Sequence, residues 1–311
     1  MPAVRMTGKP VVEEIEARVR PEVSELRERH GIVPTLVVVQ VGRDPASLRY
    51  VGRKLLAAER LGMRARHHVC DESIPVEALR DDLRRLGADP EVHGVIVQLP
   101  LPRHIESPSV PEGVDALDKF DVLDAVPPEK DVDGTGSGSI AELYRARTHR
   151  LRFLPSTALA VARLLRHYGI ETRGRRAVVV GRNDITSKPI LLMLGGRMFD
   201  AAAIWLHRHV PKAEHDELVR SADILVTAVG RADYRITRDM VKPGAVVFDV
   251  ATRVLDDGSL VGDAEPDVQE VASFLTPVPG GVGPVTVAAL MENVARAAGF
   301  AVAGRPLGYH L

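Results

Sequence analysis

Residues 177–189, AVVVGRNDITSKP, constrain the fold more tightly than any other stretch of the chain. Four apolar residues, three of them valine, run into Gly181 and a short polar turn. Ser187, Lys188 and Pro189 then precede the apolar run ILLML. This is the pattern of a buried parallel strand feeding a tight loop and a helix N-terminus. Such a turn presents unpaired backbone N–H groups and the positive end of a helix dipole, which suit a pyrophosphate. The loop is also unusual. A dinucleotide loop carries a second small residue where helix and phosphate come close, and that region here reads Asn183, Asp184, Thr186 and Ser187.

The same alternation runs along the chain. Residues 10–29 place Val11, Val12, Ile15, Val19, Val23 and Leu26 at helical spacing, with Pro21 expected to kink or divide the helix. Residues 35–41 read as a strand, and Asp44-Pro45 opens a helix to about residue 61, with Asp44 as its N-cap. A strand near 66–69, a helix over 75–86 and a strand over 94–99 follow, then a loop at 103–113 and a helix at 114–126. The Pro-, Gly- and Ser-rich stretch 127–139 reads as an interdomain hinge. Beyond it a helix over 156–168 opens a second series. Its strands are expected at 177–180, 202–206, 224–228, 245–250 and 274–276, with helices near 187–194, 214–221, 237–241 and 285–298. Strands and helices alternating in this way make βαβ units and parallel sheets. At 311 residues the chain has room for two such α/β domains. They are expected at 1–148, rejoined by a C-terminal helix in 285–311, and at 149–284.

The formal net charge of -1 leaves no global field for nucleic acid or an anionic membrane, so neither is expected as a partner. One cysteine, Cys70, excludes an internal disulfide and argues against a cysteine-based zinc cluster; no metal is expected. No secretory leader is evident and no apolar run is expected to reach the length of a membrane span, which points to the cytosol.

Four groups of residues could carry chemistry. Tyr50 and Lys54 lie four apart and share one helix face. Spacing alone fits a surface pair. Gln98, between Val97 and Leu99, stands at the end of a strand in the same sheet, and parallel sheets gather ligands at their carboxyl ends. Asp131 and Asp133 in EKDVDG admit three readings: an Asx turn, a calcium-like loop or a recognition carboxylate. Arg182, with His207 and Arg208 after the following strand, replaces the acid that would select NAD and suits a 2′-phosphate. Finally, the run Gly280, Gly281, Val282 and Gly283 lets backbone approach a ligand closely.

Together these segments resemble the bifunctional methylenetetrahydrofolate dehydrogenase/cyclohydrolase family. VGRDPASLRYVGRKLLAAERLGM is similar to its first signature, GVIVQLPLPRHI to its second, EKDVDG to its hinge motif, GRRAVVVGRNDITSKP to its nucleotide loop and TPVPGGVGPVTVAALMEN to its closing signature. The likeness covers nearly the whole chain. It implies two domains, the second Rossmann-like, with the active-site cleft between them. It also implies oxidation of 5,10-methylenetetrahydrofolate with NADP+ and hydrolysis of the methenyl product to 10-formyltetrahydrofolate. By the resemblance Lys54, Gln98 and Asp133 are catalytic, and Tyr50, Val97, Leu99, Gly280, Gly281 and Val282 bind the folate. Gly181, Arg182, Asn183, Ser187, His207, Arg208 and Thr252 would hold NADP, and a homodimer is implied.

The departures cluster on the cofactor side and the junction. Thr135-Gly136-Ser137-Gly138 replaces an aromatic-His-Pro run, and Phe153-Leu154-Pro155-Ser156 replaces PCTP. Asn183 and Ser187 stand for a serine and a glycine, and Ala251-Thr252-Arg253 for Gly-Ile-Asn. Two further readings therefore stay open: a cyclohydrolase alone, or a folate-binding protein without catalysis.

Overall fold

The computed structural model of the chain describes residues 2–106, 118–145, 151–304 and 309. Its first half runs β1 (Val4–Arg5), α1 (Lys9–His30), β2 (Thr35–Val41), α2 (Pro45–Arg60), β3 (Arg64–Cys70), α3 (Val76–Ala88), β4 (Gly94–Val97), α4 (Arg103–Glu106), α5 (Lys119–Leu123) and α6 (Ser137–Arg145). Every residue of β2 is buried, as its run of valines requires, because β2 is the centre of a parallel three-stranded sheet ordered β3-β2-β4. The second half runs α7 (Ser156–His167), β5 (Arg176–Val180), α8 (Ser187–Gly195), β6 (Ala202–Leu206), α9 (Lys212–Arg220), β7 (Ile224–Thr227), β8 (Val246–Asp249), β9 (Arg253–Val254), β10 (Leu260–Val261), β11 (Phe274–Leu275) and α10 (Val282–Ala303).

The second sheet is ordered β1-β11-β8-β7-β5-β6 and is parallel throughout. Its first strand comes from the chain's N-terminus: Val4 pairs with Phe274 and Arg5 with Leu275. The two-residue β1 carries no periodicity of its own, so the sequence offers no signal for it. At the other end of the chain, α10 packs on α1, α2 and α7. The N-terminal strand and the C-terminal helix thus cross between the two halves and tie them together.

Several expectations need correcting. α1 continues unbroken through Pro21, whose exposed position costs one backbone hydrogen bond while Val19 and Val23 stay buried on either side. The helix expected at 237–241 is a single 3-10 turn, Arg238–Met240. The helix expected at 114–126 is the short α5, started by a capping box at Asp118; residues 114–117 lie outside those described. The hinge stretch ends early, because Ser137 already begins α6.

α10 corrects the expectation about membrane-length runs: it has 22 residues, with a mean hydropathy of 1.3 in its most apolar window. It is apolar nearly all round because it is a core helix, with Val285, Leu290, Met291 and Val294 each at most 2% exposed. Each such side chain contributes about 1.5–3 kcal/mol by leaving water.

Candidate active site

Asp44 starts α2 by accepting the Ser47 N–H at 2.7 Å, with Pro45 at its first position. That register puts Tyr50 and Lys54 on one face. Across from them β4 ends at Val97, and the Gln98 N–H continues the ladder to Val39 O at 2.7 Å. The Gln98 Nε2 donates to Leu99 O at 2.7 Å, which leaves Oε1 to accept from Lys54 Nζ at 3.0 Å. The amide is therefore oriented by its own backbone and presents oxygen to the ammonium.

The hinge motif separates its two acids. The Asp131 carboxylate is buried and accepts from Thr135 N at 3.1 Å, Gly136 N at 2.9 Å and Ser139 Oγ at 2.6 Å. It is the internal anchor of a turn, so of the three readings the Asx turn describes Asp131. Burial pushes its carboxyl up, against the pull of those hydrogen bonds. Asp133 instead bears electrostatically on Lys54. Burial of the Lys54 ammonium lowers its pKa, and the Asp133 carboxylate offsets part of that drop.

A cleft of about 760 Å³ opens beside this group. Its walls are α1, α2, the carboxyl end of β8 and the segment leading into α10. Tyr50, Thr252, Gly280, Gly281 and Val282 line it. The cleft brings together Tyr50 and the closing-signature residues Gly280, Gly281 and Val282, while Asp133 and the nucleotide loop are not part of its lining. Lys54 and Gln98 do not line it: they meet one helical turn beyond Tyr50, at the end of β4. Val97 is buried in the sheet and Leu99 half-buried at the turn. Val282 also begins α10, so the glycine run is half loop and half first helical turn.

The nucleotide loop stands at the carboxyl end of β5. Gly181 has φ +140, and a Cβ there would sit 2.4 Å from Ser187 Oγ and 2.7 Å from Ala228 O, so only glycine fits. Ser187 is fully buried beneath it, and its Oγ has no partner. The side chain points inward and does not crowd the loop's outer face. Asp184 is ion-paired with Lys188, which offsets the repulsion its charge would exert on a phosphate. Asn183 Oδ1 accepts from Ile185 N at 2.8 Å and Thr186 N at 3.1 Å and thereby folds the loop. Trp205 Nε1 donates to Gly181 O at 2.5 Å, with Lys188 5.6 Å from its ring. Beyond β6 come His207, Arg208 and His209, with Arg182 exposed on the loop. An orphaned buried hydroxyl at the start of α8, a glycine no other residue can replace and a cationic rim fit a phosphorylated dinucleotide.

Three features escaped the sequence reading. Asp249, buried at the end of β8, lines the cleft, and burial raises its carboxyl to about 7. Asn293 is a fully buried amide in α10; the signal was there, as a polar pair, Glu292-Asn293, inside an apolar helix. Cys70 does have ligand-type neighbours: its thiol, His68 and Asp82 offer atoms within 4.8 Å of one another. Asp82 is already paired with Arg85 and His68, and the Cys70 thiol, whose pKa burial raises, lies 4.0 Å from the same carboxylate.

A parallel sheet with a glycine turn and a cationic rim at the end of β5, in one chain with a lysine–amide pair at the end of β4, defines a two-domain nucleotide-dependent enzyme. Profiles of the tetrahydrofolate dehydrogenase/cyclohydrolase catalytic domain and of its NAD(P)-binding domain match residues 6–133 and 155–301. The chain belongs to the tetrahydrofolate dehydrogenase/cyclohydrolase family. It is 44% identical over 299 residues to bifunctional protein FolD 2 of Myxococcus xanthus, covering 96% of each chain. It is 41% identical over 288 residues to bifunctional protein FolD of Thermus thermophilus, covering 93% of this chain and 92% of that one. The structure of the Trypanosoma brucei dehydrogenase-cyclohydrolase, complexed with NADP cofactor and inhibitor, superposes with a TM-score of 0.86 at 34% identity. That match covers 97% of this chain and 99% of that one.

Proposed function

We propose that the protein oxidises 5,10-methylenetetrahydrofolate with NADP+ and hydrolyses the methenyl product to 10-formyltetrahydrofolate, with Lys54 moving the protons. The observation that carries this is the 3.0 Å contact of a half-buried lysine with an oriented amide, within the electrostatic reach of the Asp133 carboxylate. Bound NADP+ supplies the hydride acceptor. Gly181, Asn183, Ser187, Arg182, His207 and Arg208 are the residues that would hold it, and Thr252 lies on the cleft side.

The roles of the chain's own groups follow from their chemistry. The exposed Tyr50 ring offers a flat apolar face on which a pterin–aminobenzoate system stacks. The Asp133 carboxylate accepts paired N–H donors from the pterin. Gly280, Gly281 and Val282 let the opposite wall come close. Lys54 is held by Gln98 and desolvated, which lowers its pKa and favours the neutral amine relative to a free lysine. Neutral Nζ takes a proton from the water adding to the methenyl carbon. The same Nζ returns it to N5 as the C–N5 bond opens, the remaining hydroxyl proton leaves to solvent as the C=O forms, and the formyl group stays on N10. A cationic substrate beside Lys54 depresses its proton affinity further.

The test is spectrophotometric: purified protein is supplied with methylenetetrahydrofolate and NADP+, then with methenyltetrahydrofolate. Turnover of both is expected. Hydrolysis without NADP+ binding selects the cyclohydrolase-only reading, and turnover of neither sinks the proposal. A cytosolic homodimer belongs to the same reading on the strength of the family resemblance, and a monomer mass in light scattering overturns the dimer.

A further inference from the structure

Asn293 is fully buried, with both polar atoms of its side chain engaged. Its Nδ2 donates to Val132 O at 2.7 Å and to Leu154 O at 3.0 Å. These carbonyls belong to the hinge motif and to the segment that opens α7, so one side chain on α10 ties together the two stretches where the chain passes between its halves. The segments also touch directly, since a Cβ on Gly134 would lie 2.9 Å from Pro155 N.

What orients Asn293 is a residue from the end of the chain. Tyr309 accepts the Leu154 N–H at 2.7 Å, so its hydroxyl proton goes to Asn293 Oδ1 at 2.6 Å. With Oδ1 committed, Nδ2 faces the two carbonyls. The Tyr309 ring is buried, with the Arg296 guanidinium 3.9 Å from its centre, and Arg296 Nε donates to Arg152 O at 2.8 Å. Tyr309 lies beyond residues 155–301, where the family's second domain matches.

We propose that Tyr309 is a positioning residue for the folate site: through Asn293 it fixes the Val132–Asp133 peptide and so sets the Asp133 carboxylate against Lys54. The inference rests on the function proposed for Lys54 and Asp133. Val132 O, the atom that Asn293 holds, belongs to the peptide that leads into Asp133, and Val132 is fully buried. Its methyls fill the space a Cβ on Gly94 would need, 2.8 Å away, so the hinge is held from the β4 side as well. Rotation of that peptide moves the Asp133 carboxylate relative to Lys54.

The test compares wild type, Tyr309→Phe and a chain ending at residue 304. The readouts are methenyltetrahydrofolate hydrolysis from pH 6 to 10, NADP+ affinity and thermal melting. Val219→Ala, a buried change on α9, serves as a stability control. In Tyr309→Phe kcat is expected to fall roughly tenfold, and the limb of the pH profile that reports Lys54 to move to lower pH as the Asp133 carboxylate, which raises the lysine pKa, is displaced. NADP+ affinity is expected to stay unchanged. The shortened chain is expected to show the same displacement, and Val219→Ala to lose melting temperature without it. A melting loss in Tyr309→Phe with kcat and pH limb unmoved overturns the positioning role. If Tyr309→Phe does not fold, the shortened chain decides by the same two readouts. A wild type inactive on both folates overturns the function itself and the inference with it.

Discussion

Lys54 Nζ lies 3.0 Å from Gln98 Oε1, while the amide nitrogen of Gln98 is turned away onto Leu99 O. The lysine thus has a neutral acceptor as its nearest partner, and the carboxylate of Asp133 acts on it only through space. A neutral partner holds an ammonium in place without stabilising its charge as a carboxylate would.

The pair is testable by changing the partner's charge. Lys54→Ala is expected to slow methenyl hydrolysis about 10²–10⁴-fold. Gln98→Glu places a carboxylate at the amide's position, raises the lysine pKa and moves the limb where Lys54 loses its proton to higher pH. A Gln98→Glu profile that overlays wild type contradicts this electrostatic account.

Cofactor choice is expected to depend on the cationic rim. Replacing both Arg182 and Arg208 with alanine removes the charges suited to a 2′-phosphate. NADP+ affinity is expected to drop about 10–100-fold, while NAD+ affinity stays the same. Isothermal titration with both dinucleotides checks this, and an equal loss for the two would place the 2′-phosphate elsewhere.

Asp249 makes stability depend on pH. Its folded pKa, about 7, lies above the ordinary carboxylate value of 3.8, so the folded state binds a proton that the unfolded state releases. This contribution is complete below about pH 4 and is lost as pH rises through 7, on the order of a few kcal/mol. Urea unfolding between pH 5 and 9 is expected to show the decline, and Asp249→Asn to flatten it. The variant starts from a lower stability, because both carboxylate oxygens face backbone N–H donors, Ala251 N at 3.2 Å and Ala264 N at 2.8 Å.

Gly134 has φ +65 with the backbone of Pro155 against it. Gly134→Ala is expected to cost about 1–3 kcal/mol in urea unfolding, together with a loss of folate turnover, since the residue follows Asp133. An unfolding midpoint equal to wild type argues against the close approach.

Much of the site was legible in the sequence because its signals are local. The strand–glycine–helix pattern at 177–189, the Tyr50/Lys54 spacing and the Asp44-Pro45 helix start each depend on residues within one or two turns, and each stands where it was expected. The misreadings came where packing overrides local preference. Gly283 and Pro284 read as loop, yet both fit the first turn of a buried helix. Pro21 read as a break, yet its helix is held by the core on either side.

By itself, then, the sequence determined the alternation of strands and helices, the two parallel sheets and the residue types at each motif, since these follow from periodicity and backbone chemistry. Only the tertiary structure decided which of those residues meet. Lys54 and Gln98 are 44 positions apart, Asn293 and Val132 161, and Tyr309 and Leu154 155. Side-chain hydrogen bonds at such separations are selected by how helices pack on sheets, which no local pattern encodes. For the same reason Asp131 became a turn anchor while Asp133, two residues on, faces Lys54: the backbone N–H groups of Thr135 and Gly136 close on Asp131, and α2 brings Lys54 to Asp133.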